Sequence, residues 1–126
     1  MGLEKGIINR KEFTVLPEHT ASFIGSGDLE VLGTPALAAF MEITCKESVA
    51  EHLPNGSTTV GTRLDLEHLK ASKIGSVIAC SCELTEISGR MITFQVTCED
   101  SGHTIGRAVH TRVVVDSSRF MAGLNK

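Results

Sequence analysis

The hydrophobic and polar positions along the chain fall into two regimes. From Ala36 to Met41, and on through Ile43 and Cys45, apolar residues run almost unbroken. A run of that length predicts a largely buried helix from Pro35 to about His52, stopped by Pro54-Asn55-Gly56. Thr34 stands where a cap residue would accept a backbone N–H, and Pro35 suits the first helical position because it has no N–H to leave unpaired. After Ser57 the period changes to two. Val60, Leu64, Leu66 and His68 share one strand face, with Arg63, Asp65 and Glu67 opposite. Ile78, Cys80, Cys82 and Leu84 line the next strand, and Ile92, Phe94, Val96 and Cys98 a third. Val109, Val113 and Val115 mark a fourth, over about 104–115. Ser88-Gly89 and Asp100-Ser101-Gly102 supply the turns between them. Ahead of the helix, Glu12 to Leu16 reads as a short strand ended by Pro17, Thr20 to Ile24 as another, and 25–33 as a loop.

A long buried helix followed by long antiparallel strands, each with one apolar face, is an α+β pattern. Burying that face requires the sheet to curve around the helix, which is the hotdog arrangement. Joining two such sheets edge to edge would cover an otherwise exposed edge strand, so a homodimer or a dimer of dimers is expected. The 126 residues contain no repeat or linker and suit a single domain, 1–126.

Composition narrows the function. The net charge is −3 and no segment is strongly basic, which argues against nucleic acid or an anionic membrane as partner. No run approaches the roughly 20 apolar residues of a membrane helix. Met1 to Arg10 lacks the apolar core of a signal peptide, so a cytoplasmic location is expected. Cys45, Cys80, Cys82 and Cys98 include no C-x-x-C pair, and those on strands fall on apolar faces. They read as free thiols filling the core, with no metal or redox cofactor.

Several positions could carry chemistry. Glu42 is the only charged residue between Val31 and Cys45; it is either a desolvated carboxylate or a surface partner of Lys46 at i+4. His68 alternates with leucines and points toward the helix, as a core histidine or as a general base. Thr34 either caps the helix or offers its hydroxyl where the positive end of the helix dipole favours an oxyanion. Gly61 interrupts a good strand, as a bulge or as a free N–H for a carbonyl oxygen. His110 and Arg112 lie opposite Val109 and Val113, toward solvent or a cleft edge. Arg112, Arg119 and Lys73 are cations that could meet the phosphates of a nucleotide-bearing ligand.

These residues stand in a recognisable order. Thr34-Pro-Ala-Leu-Ala-Ala-Phe-Met-Glu42 resembles the helix motif of the fluoroacetyl-CoA thioesterase family of hotdog enzymes. Thr58-Thr-Val-Gly61-Thr, then Leu66-Glu-His68, resembles its strand motif. Gly75, Ser88-Gly89-Arg90, Ile105-Gly106, His110-Thr-Arg112, Val115-Asp116 and Arg119-Phe120 extend the likeness from about Phe13 to Phe120. The resemblance implies a catalytic set of Thr34, Glu42 and His68, with Gly61 binding the substrate. The implied reaction is hydrolysis of a small acyl-CoA thioester without a cofactor. His68 would be the base, and Glu42 would orient it or attack the acyl carbon. Phe40 is expected in the wall of the acyl pocket. The segment Ser22 to Gly33 is read as shorter than the aromatic lid of the fluoroacetyl-specific enzymes, with Phe23 its only aromatic residue. Only modest preferences among small acyl groups are therefore expected. The rival readings are a hotdog module that binds an acyl-CoA or acyl carrier without turnover, and a hotdog dehydratase.

Overall fold

The computed structural model describes residues 2–125. Its elements are β1 (Ile8–Thr14), α1 (Ala21–Ile24), α2 (Thr34–Val49), β2 (Ser57–His68), β3 (Val77–Ser88), β4 (Met91–Asp100), β5 (His103–Asp116) and α3 (Ser117–Leu124). The five strands form one antiparallel sheet in the order β1-β3-β4-β5-β2. The sheet curves around α2, as the hydrophobic pattern predicted.

The core lies between the helix and the concave face. Leu37, Met41, Cys45 and Val49 of α2 are fully buried, and so are Ile78, Cys80, Leu84, Ile92, Phe94 and Cys98 of the sheet. All four cysteines are buried free thiols, and those of β3 point at the helix backbone: Cys80 Sγ lies 3.8 Å from the Phe40 carbonyl and Cys82 Sγ 3.7 Å from that of Thr44. Both expected turns form, with Gly89, Ser101 and Gly102 at positive φ.

The N-terminal third departs from expectation. The first strand begins earlier, at Ile8, and pairs with β3 along its length. Of the segment from Thr20 to Ile24, Ala21–Ile24 is helical and only Thr20 is extended. Thr20 Oγ1 accepts the Phe23 N–H, and Gly25 closes the turn in the left-handed region. A C-terminal helix, α3, was not anticipated; Asp116 caps it by accepting the Arg119 N–H at 2.9 Å.

Strand β2 carries the feature that matters most for the site. Gly61 pairs with Arg112 and Arg63 with Thr111, so Thr62 is the extra residue of a β-bulge. The bulge resets the alternation. Leu64, Leu66 and His68 face the helix as expected, but Val60 does not share their side. Before the bulge it is Thr59 and Gly61 that face inward, and Val60 pairs with Val113 on the outer surface.

The helix packs tightly on the sheet at Gly106, opposite His68. A β-carbon there would come within 2.9 Å of Leu37 Cδ2, 3.3 Å of the Glu67 carbonyl oxygen and 3.4 Å of Met41 Cε. Leu37 and Met41 are completely buried and have nowhere to move. Gly106→Ala should therefore destabilise the protein by about 1–3 kcal/mol, the usual penalty for overpacking a core. Gly123→Ala, where a β-carbon meets nothing within 4 Å, is the control. Urea unfolding of the two variants checks the difference.

Candidate active site

Thr34 is the first residue of α2 and not its cap. Gly33 occupies the cap position, and no side chain caps the helix. The Thr34 hydroxyl is thus free of capping, and it lies 2.8 Å from His68 Nδ1 at the end of β2. The other ring nitrogen of His68, Nε2, is buried with no hydrogen-bond partner. A buried polar atom without a partner is uncommon and marks a place where a ligand or water belongs. Burial holds the His68 pKa below its ordinary value, offset in part by the backbone at Lys70. The imidazole is therefore neutral at physiological pH and able to accept a proton.

This pair lines an open cavity of about 320 Å³, with Val31, Leu32, Leu69 and Ala71 among its walls. Ala21 and Ser26 form a further side, so the segment ahead of Thr34 folds against the cavity. The bridges Thr20–Leu32 and Val31–Lys73 hold that segment down. Its one aromatic side chain, Phe23, is 70 % exposed.

Glu42 lies elsewhere. Eight residues of helix separate it from Thr34, about 12 Å at 1.5 Å per residue. Among the described residues its carboxylate makes no hydrogen bond and no ion pair, and the anticipated Lys46 partnership does not form. The helix carboxylate that does pair is Glu47, with Lys11 Nζ at 3.0 Å. Within one chain, then, Glu42 does not orient His68. It converges instead with Arg112 and His110 on Gly61. A β-carbon on Gly61 would lie 3.3 Å from His110 Cε1, 3.4 Å from Arg112 Nη1 and 3.7 Å from Glu42 Oε2.

Two expectations about β5 are overturned. His110 is fully buried and Arg112 is 6 % exposed, so neither faces solvent and Arg112 is not a surface phosphate contact. The cause is register. Arg112, His110 and Ala108 pair with Ile92, Phe94 and Val96, the apolar face of β4, while Val109 is turned outward and is 47 % exposed. Arg112 tolerates burial because its donors are used: Nε meets Thr59 Oγ1 at 2.7 Å, Nη2 the Thr59 carbonyl at 2.9 Å and Nη1 His110 Nε2 at 3.1 Å. Burial disfavours its charge, and Glu42 is the largest influence supporting it. The sequence carries no signal for Thr59, because the bulge that turns it inward leaves no mark in the residue pattern.

Phe40 also differs from expectation. It is 3 % exposed and stacked on Phe13 with ring centroids 4.3 Å apart, and His19 meets it edge-on at 5.0 Å. It supports the helix from the core and does not line the cavity at His68. Arg119 and Lys73 are exposed. No group of three or more potential metal ligands occurs among the described residues, and no described helix is long and apolar enough to cross a membrane.

The family model described as fluoroacetyl-CoA-specific thioesterase matches residues 15–118. A fluoroacetyl-CoA thioesterase of Streptantibioticus cattleyicolor is 29% identical over 93 residues, 74% of this chain and 67% of that one. A crystal structure of the fluoroacetyl-CoA-specific thioesterase superposes with a TM-score of 0.92 at 25% identity, over 99% of this chain and 97% of that one. A complex of a mutant of that enzyme with fluoroacetate and CoA superposes with a TM-score of 0.88, again at 25% identity, over 94% of this chain and 99% of that one. A thioesterase superfamily member from Thermus thermophilus, 20% identical, shares the fold with a TM-score of 0.89 over 97% of this chain and 90% of that one. The match spans α2 and strands β2 to β5, both histidine-bearing strands among them, and on it the chain belongs to the fluoroacetyl-CoA-specific thioesterase family.

Proposed function

We propose that this thioesterase hydrolyses a small acyl-CoA thioester, with His68 as general base, at a site completed by a second copy of the chain. The observation that carries the reading is the state of His68. One ring nitrogen is held by Thr34 at 2.8 Å, and the other is buried, unpartnered and neutral beside a cavity. As a water oxygen attacks the acyl carbon, Nε2 takes the water proton; the C–S bond then breaks, and the departing thiolate takes that proton back. Thr34 fixes the ring, and its place at the positive end of α2 suits the developing oxyanion. The chemistry draws on no metal or redox group.

Glu42 and Gly61 enter through assembly. β2 is an edge strand of 12 residues, with one side unpaired in the single chain. An edge that long is normally covered. Antiparallel pairing of two copies of β2, centred between Leu64 and Asp65, sets Gly61 of each strand opposite His68 of the other. Each site then combines the Thr34–His68 half of one copy with the Glu42–Gly61–Arg112 half of its mate. There Glu42 can orient the water or attack the acyl carbon, and the Gly61 N–H can hold the thioester oxygen. The exposed cations Lys73 and Arg119 remain candidates for the CoA phosphates. The competing reading is an acyl-CoA-binding module without turnover.

Release of free thiol from short acyl-CoAs tests the reaction, since a module would bind without releasing it. His68→Ala should lower the rate about 10²–10⁴-fold, the usual loss for a general base. The pH profile of kcat/KM should fall on the acid side. Because burial lowers the His68 pKa, the base stays active at pH 6.5, the ordinary histidine value, and is lost only as the pH drops further.

Mixing tests the composite site. His68→Ala and Glu42→Gln homodimers are each expected to be inactive, but a mixed dimer holds one intact site and one doubly altered site. Random exchange of subunits should restore about a quarter of the parent activity. No recovery, with exchange verified by mass, would mean that each site is built within one chain.

The exposed Phe23 leaves selection to the cavity walls. One small substituent in such a pocket is worth only about 1–3 kcal/mol, so fluoroacetyl-CoA and acetyl-CoA should differ modestly in kcat/KM. A ratio of about 10⁴ or more would reveal a selective gate.

A further inference from the structure

We propose that His110 is a positioning residue that, as a neutral imidazole, clamps the Arg112 guanidinium against the notch at Gly61 and lets go when protonated. The proposal rests on the reading that the Glu42–Gly61–Arg112 group forms one half of the thioester site.

The tautomer follows from the partners. An arginine side chain can only donate. At 3.1 Å from Arg112 Nη1, His110 Nε2 must therefore be the acceptor and carry no proton. The proton sits on Nδ1, which donates to the Arg63 carbonyl at 2.8 Å. Arg63 follows the bulge residue Thr62, so the irregularity of β2 aims that carbonyl at the ring. Thr59 holds the opposite side of the guanidinium through its hydroxyl and its carbonyl. Three anchors thus fix the plane of the group. They leave Nη1 3.4 Å from the point where a Gly61 side chain would start, with Glu42 Oε2 3.7 Å from the same point.

The surroundings oppose a second cation. Burial is the largest influence lowering the His110 pKa, and Arg112 on the same strand adds to it. Glu42 of α2 and the Arg63 carbonyl of β2 act the other way. The Phe94 ring of β4, its centroid 6.3 Å away, brings no charge. Once protonated, Nε2 would turn an N–H toward the N–H of Arg112. The bond would then be lost and the two cations would repel. Glu42, now facing an unclamped guanidinium, would lose its fixed counter-charge.

Two measurements test this. Nitrogen chemical shifts of His110 in the intact enzyme read the tautomer directly and do not depend on turnover. The expected result is a protonated Nδ1, a bare Nε2, and a ring still neutral at pH 6.5. A proton on Nε2 would overturn the clamp. The second measurement compares His110→Gln, whose amide oxygen can accept from Arg112, with His110→Leu, which cannot. His110→Leu should lower kcat/KM by about tenfold to a hundredfold, as for loss of a buried hydrogen bond to a charged group, and His110→Gln should recover most of it. The acid limb of the wild-type profile should reflect two protons, and that of His110→Gln one, which belongs to His68. Equal losses in both variants, or an acid limb unchanged in His110→Gln, would reduce His110 to a packing residue. If His110→Leu does not fold, the Gln variant and the tautomer still decide. If the parent enzyme releases no thiol while the tautomer is as expected, the thioesterase reading of the site fails and the clamp stands.

Discussion

Everything in the molecule is organised by the close contact of one helix with the concave face of one sheet. α2 carries Leu37, Met41, Cys45 and Val49 into that face with none of their surface left in water. Burying a large aliphatic side chain stabilises by about 1.5–3 kcal/mol, so this contact is where the fold gets its strength. It also fixes how far apart polar groups can sit. Thr34 at the start of the helix meets the end of β2, and Glu42, two turns on, faces the beginning of the same strand.

The contact is largely apolar, and its most highly charged part lies at one end of the sheet. There His110 and Arg112 replace hydrocarbon, and Thr59, Arg63 and Glu42 surround them. A buried guanidinium is costly unless it is paired and hydrogen-bonded, and an apolar substitute is often no less stable. Its presence under the sheet is thus explained better by chemistry than by folding. The same holds at the other end, where His68 keeps a buried nitrogen without a partner.

The sequence is most transparent where one force dominates. The core strands β3 and β4 alternate cleanly because one face meets the helix and the other does not, and Ile78 to Leu84 and Ile92 to Cys98 could be assigned by period alone. The helix was readable from its apolar run. The likeness of the Thr34-to-Glu42 and Leu66-to-His68 segments to a known family pointed to Thr34 and His68, which do meet. Legibility fails where a single residue shifts the phase. Thr62 is extra, and nothing in its side chain announces it, so Val60 was placed on the wrong face. On β5 the valines suggested the interior, yet register with β4 turned Val109 outward and drew His110 and Arg112 in. Thr20 to Ile24 was misread because β-branched and aromatic residues favour strands, whereas a threonine cap and a left-handed glycine imposed a helical turn. Periodicity reports the burial of a residue and is silent on which ladder partner it faces.

The bulge has a further implication for how this strand can vary. Inward-facing Gly61 and inward-facing His68 stand seven positions apart, an odd spacing that a regular strand would send to opposite faces. Removing Thr62 itself would leave an even spacing and a smooth ladder with both ends still toward the helix, whereas removing a residue while the bulge stays would turn one end of β2 away from it. A second such change would then be needed to bring that end back. Lengthening or shortening this strand is therefore governed by parity more than by distance, and β2 can exchange side chains far more freely than it can exchange its number of residues.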